Sequence, residues 1–165
     1  MVAERSTTSP IVVVGLDGSQ HSLDALRWAA RYARGVGGVL HPVVAWAFSG
    51  SAEYVTHPDF EKVAKGHLDD ALYLLRTEFQ DVAVEPAIIH GAAASVLIDA
   101  SRDADLLVLG TRGHGGFTGM LLGSVSQHCI HHAGCPVVVV REGLGVAGPS
   151  GSIPSDSVPL ATSDS

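Results

Sequence analysis

Three short aliphatic runs constrain this chain more than anything else in it: Ile11 to Gly15 (IVVVG), Asp105 to Gly110 (DLLVLG) and Val137 to Val140 (VVVV). Each is short for a helix and shows no alternation of apolar and polar residues, the pattern of a strand covered on both faces. Such strands belong to parallel sheets, and parallel neighbours need a crossover of a dozen or more residues.

The segments between them supply the crossovers. After the first run, Gly18 permits a turn and Ser19 or Ser22 can cap a helix bearing Leu23, Leu26, Ala30 and Ala33, which should stop among Gly35, Gly37 and Gly38. Val39 to Ala47 reads as a second strand, in which Pro42 lacks a ladder donor and is expected at a bulge or a sheet edge. From Asp59, a stripe of Phe60, Ala64, Leu68, Ala71, Leu75 and Phe79 predicts the longest helix, interrupted by Gly66. Val82 to Ile89 gives a third strand, and Ala93, Val96, Leu97 and Ala100 a short helix before the fourth, Asp105 to Gly110. Val125, Cys129 and Ala133 mark a last helix ending at Gly134, and Pro136 opens the fifth strand. Strand and helix alternate throughout, so the expected fold is α/β: three α/β/α layers with a five-stranded parallel sheet and right-handed crossovers.

At 165 residues the chain suits one domain with a sizeable core. The first ten residues are polar and unpatterned and read as a flexible N-terminus, the domain spans 11–141, and 142–165 reads as a disordered, acidic Gly/Ser/Pro-rich tail. No internal repeat is visible. A formal net charge of -7, with no run of Lys or Arg, argues against nucleic acid and against an anionic membrane as partners. The 2 cysteines, the lack of a leader pattern and the lack of a long apolar span point to a cytoplasmic protein.

Gly110 to Ser124 (GTRGHGGFTGMLLGS) follows the fourth strand directly and is dense in glycine. Ligands of open α/β sheets sit beyond the carboxyl ends of the strands where strand order reverses. Gly15 to Ser19 after the first strand is the other half of such a crevice. Glycines let backbone N–H groups reach an anion, and a helix start at Gly123–Ser124 adds oriented donors. The loop is no Walker A motif, since GxxxxGK[ST] is absent, nor a GxGxxG fingerprint, since the third glycine is missing.

The spacing that fits is G-x2-G-x9-G-[ST]: Gly110, Gly113, Gly123 and Ser124. With VVVGLDGS at the first strand, DLLVLGTRGHGG, GSVS and HHAGCPVVVV, the chain resembles the ATP-binding branch of the universal stress protein family. The resemblance implies the strand order 3-2-1-4-5, with ATP, and Mg2+ where Asp17 serves as a ligand. It assigns Gly15 and Asp17 to ribose or adenine and the Val44 main chain to the adenine edge. Gly110, Gly113, His114, Gly115, Gly123, Ser124 and Val125 would cradle ribose and phosphates. Thr111, Arg112 and Gly116 complete the candidate loop. It also implies a homodimer through Val137 to Val140, which would cover an exposed apolar edge.

Other residues carry plainer readings. Asp17 could equally be a turn residue bonding its own backbone. His128, Cys129, His131, His132 and Cys135 invite a zinc reading, since His128 and His132 are i and i+4. Cys129 falls on the buried stripe, however, and His131 and His132 suit the negative end of the helix dipole, so no metal is assigned. Trp28 and Trp46 read as packing and Asp69–Asp70 as a solvated helix face. Rapid phosphoryl transfer wants a metal clamp, a neutralising cation and a positioned base. With only Arg112, His114 and Asp17 on offer, no catalytic residue is assigned. A nucleotide-binding regulatory module is the first reading, with a slow ATPase or a cyclic-AMP binder as alternatives.

Overall fold

The run at Ile11 becomes the middle of the sheet. The computed structural model describes residues 9–47, 58–112 and 122–142. In chain order these form β1 (Ile11–Leu16), α1 (Gln20–Val36), β2 (Val39–Trp46), α2 (Pro58–Glu78), β3 (Ala83–Val84), β4 (Ala87–His90), α3 (Ala93–Ser101), β5 (Leu106–Gly110), α4 (Ser124–His132) and β6 (Val137–Val140). The expected termini at 1–10 and 142–165 fall almost wholly outside the described residues.

The sheet runs β3-β2-β1-β5-β6, with β4 also paired to β2, and its strands are parallel. The α/β class and the reversal beside the first strand are as expected. The count is not: the predicted third strand is two short strands, broken at Glu85–Pro86. Glu85 donates its N–H to the Leu40 oxygen at 2.9 Å. Pro86 has no N–H to continue the ladder, and pairing resumes at Val43 opposite Ala87.

The same break explains Pro42, which occupies neither a bulge nor an edge. It lies inside β2, opposite Val14, in a register that runs unbroken from Ile11↔Val39 to Leu16↔Val44. Val39 donates its N–H toward β1, to the Pro10 oxygen, whereas Leu40 accepts from the far side, from Glu85. Alternation along the strand therefore turns the Pro42 nitrogen to the far side, where β3 has ended and β4 has not begun.

Alternate residues of the central strands feed two cores. Val12, Val14, Leu16, Leu40 and Val44 pack under α1 and α2, while Val13, Val43, Leu107 and Leu109 pack under α3 and α4. Each such side chain contributes about 1.5–3 kcal/mol on burial. Of the two candidate caps, Ser19 is the one used: its Oγ accepts from the Ser22 N–H at 3.2 Å. α1 passes through Gly35 and ends at Gly37, whose φ of 64° is a left-handed cap. Among the described residues no helix is long and apolar enough to cross a membrane.

Candidate functional site

β1 and β5 lie side by side, and the chain leaves their carboxyl ends in opposite directions, into α1 and toward α4. A cavity of about 290 Å³ opens there. Seven residues singled out from sequence line it: Gly15, Asp17, Gly110, Arg112, Gly123, Ser124 and Val125. Val44 and Thr111 do not. Val44 is buried on the α1–α2 side and lies within the β2–β4 ladder opposite Ile88. Thr111 acts through its main chain, donating to the Val140 oxygen at 3.2 Å and accepting from the Gly123 N–H at 2.7 Å. Gly113, His114, Gly115 and Gly116 lie outside the described residues.

Two glycines are closely surrounded. A Cβ on Gly110 would stand 2.7 Å from the main-chain oxygen of His21, so the end of β5 passes directly under the first turn of α1. On Gly15 it would stand 2.8 Å from a methyl of Leu97 and 2.9 Å from one of Leu109, narrowing the cavity wall.

Asp17 is a turn residue. Its Oδ1 accepts from the Ser19 N–H at 3.0 Å and from the Ser19 Oγ at 2.6 Å, while Ser22 Oγ donates to the Ser19 oxygen at 2.8 Å. The carboxylate thereby fixes the start of α1 while it lines the cavity. At the other wall, α4 begins at Gly123, whose extended φ of -73° and ψ of 161° set a cap with no side-chain hydrogen bond. The first N–H groups of α4, at the positive end of its dipole, thus have no side-chain cap among the described residues. Among the described residues Arg112 is the one Lys or Arg lining the cavity, and its buried Nε finds no hydrogen-bond partner among them. An unpartnered buried donor is costly, and an anionic ligand would satisfy it.

Sequence reasoning missed the apolar wall of Leu16, Ala93, Leu97 and Leu109 and the hydroxyls of Ser22 and Ser126. Ser126 was within reach, being part of the GSVS segment, and its Oγ donates to the Gly110 oxygen at 2.8 Å. The cavity thus sets an apolar wall against a polar rim made by Arg112 and the start of α4. Among the described residues no three potential ligands meet to hold a metal, and Asp17 is the one carboxylate among them that lines the cavity.

The cysteines are structural. Cys129 is fully buried and burial pushes its thiol up. Cys135 is pushed up by burial and further by the Asp105 carboxylate. Trp28 stacks on Tyr32 and Trp46 meets His90 edge-on, both as packing, and Asp69 and Asp70 are exposed.

A model of the universal stress protein family matches residues 9–141. The chain belongs to the universal stress protein family. Universal stress proteins of Mycobacterium tuberculosis strain H37Rv and of Mycobacterium bovis are similar to it. The first is 34% identical over 142 residues, covering 79% of this chain and 47% of that protein. The second is 38% identical over 136 residues, covering 79% and 45%. This family member thus spans about half the length of the curated relatives it matches. Among solved structures, universal stress protein UspA from Lactobacillus plantarum shares the fold, with a TM-score of 0.67 at 21% identity over 82% of this chain and 100% of that one. A universal stress protein in complex with cAMP has a TM-score of 0.63 at 26% identity, covering 81% and 98%. One from Archaeoglobus fulgidus in complex with dAMP has a TM-score of 0.61 at 25% identity, covering 81% and 98%.

Proposed function

We propose that this chain is an adenine-nucleotide-binding module, with ATP as its nucleotide, acting as a regulatory switch in the stress response rather than as an enzyme. The observation that carries this reading is the pairing, across one cavity, of an uncapped α4 start and the unpartnered Arg112 Nε with the apolar wall of Leu16, Leu97 and Leu109. That pairing suits a nucleotide, apolar at one end and anionic at the other. Gly113, His114, Gly115 and Gly116 would contact the phosphates, and Asp17 would be the carboxylate available to an Mg2+ carried with them. Hydrolysis, where it occurs, is slow, because the described cavity offers one cation and no positioned base.

The same chemistry suits cyclic AMP, and a relative at 26% identity was solved with cAMP. The functional unit would be a cytoplasmic homodimer built on β6, which ends the sheet and pairs with β5 alone among the described strands. The test is mass spectrometry of nucleotide released from the purified protein, beside a Gly110→Ala, Gly113→Ala variant. ATP in the wild type, lost in the variant, and a melting temperature raised by added ATP are expected. An empty protein that ATP does not stabilise would overturn the reading, and cAMP in its place would favour the cyclic nucleotide.

A further inference from the structure

We propose that His128 and His132 form a binding site for a borderline divalent transition cation, Cu2+, Ni2+ or Zn2+, on the exposed side of α4. The two imidazoles stand one helical turn apart with ring centres 4.9 Å from each other and planes inclined by 44°. A metal about 2.0–2.1 Å from a ring nitrogen lies roughly 3.2 Å from that ring's centre, so two rings about 90–110° apart around it have centres roughly 4.5–5.2 Å apart. The observed spacing falls inside that interval. His131 does not join them, because its ring centre is 6.3 Å from that of His132.

Both side chains are exposed. Among the described residues neither is engaged in a hydrogen bond or ion pair that a cation would have to displace. The pair sits in the last turns of α4, where the negative end of the helix dipole favours a cation. Imidazole nitrogens select copper, nickel and zinc over the hard cations Mg2+ and Ca2+. Cys129 does not compete as a ligand, since it is fully buried. Among the described residues no third ligand completes a closed structural site. The cation would keep open positions for water or for a group from another molecule.

The test is titration of the full chain with Cu2+ alone, without nucleotide and in a non-coordinating buffer, followed by calorimetry and electron paramagnetic resonance. One Cu2+ carrying two imidazole nitrogens is expected, bound more tightly than Ni2+ or Zn2+ in parallel titrations. His128→Gln and His132→Gln should each weaken it by roughly ten- to hundredfold, the scale on which losses around a metal site register, with unchanged circular dichroism. His131→Gln and Asp17→Asn should leave it in place. No bound Cu2+ in the wild type, binding that survives both the His128→Gln and the His132→Gln changes, or loss on His131→Gln or Asp17→Asn would each overturn the site.

Discussion

Ser126 donates its hydroxyl to the main-chain oxygen of Gly110 at 2.8 Å, and this bond ties the first turn of α4 to the last residue of β5. The loop that separates them in sequence is thereby closed at its base, together with the Gly123 to Thr111 bond of 2.7 Å. Ser126 is buried, so Ser126→Ala leaves the Gly110 oxygen without its partner. A loss of about 1–3 kcal/mol in urea unfolding is expected. Nucleotide affinity measured by calorimetry should fall with it, because the start of α4 is no longer held.

Gly110→Ala and Gly15→Ala should differ in kind. At Gly110 the added methyl meets the main chain of His21, which cannot turn aside, and a loss of about 1–3 kcal/mol is expected. At Gly15 it meets the ends of Leu97 and Leu109, which can change rotamer. Gly15→Ala should therefore cost less stability while still narrowing the cavity. Equal unfolding midpoints for the two variants would contradict the close approach of β5 to α1.

How much of this was legible in the sequence depended on whether the cause was local. β1, β5 and β6 follow from their own aliphatic runs, and α1 from its cap and stripe. Pro42 misled because a proline's place depends on its neighbour strand, and that neighbour is itself broken at Pro86. The reading that ran Val82 to Ile89 as one strand passed over Pro86, which was the available signal. Within the site, Gly110, Gly123 and Ser124 came from spacing. Leu97 did not, since it reaches the cavity only through the packing of α3 against the sheet.

The thiols give a pH test. Burial raises Cys129, and burial with the Asp105 carboxylate raises Cys135, so the folded state disfavours both thiolates. Their contribution to stability is full below the unfolded thiol value, about 8.5, and is lost as pH rises from there through the folded values. Native protein at pH 8 should resist iodoacetamide at Cys129, with modification appearing only as urea unfolds the chain. Rapid native alkylation of Cys129, followed by mass spectrometry, would place it at the surface instead.

Arg112 and Asp17 line the same cavity with opposite charges, and their removal should have opposite effects on an anionic ligand. Arg112→Gln deletes the cation that lines the site. A charge-assisted hydrogen bond contributes about 1.5–3 kcal/mol, so ATP affinity should fall by roughly ten- to hundredfold. Its salt dependence should flatten as well. Stability without ligand should hold or rise, because the buried Nε has no partner to lose among the described residues. Asp17→Asn keeps an acceptor for the Ser19 N–H and hydroxyl but removes the negative charge. In EDTA its ATP affinity should equal or exceed that of the wild type. With Mg2+ the proposed use of Asp17 as a metal ligand predicts the reverse order, since only the wild type offers a carboxylate there. Calorimetric titrations of both variants, with and without Mg2+, separate these contributions. An Arg112→Gln variant that binds ATP as the wild type does would remove the phosphate role from this residue.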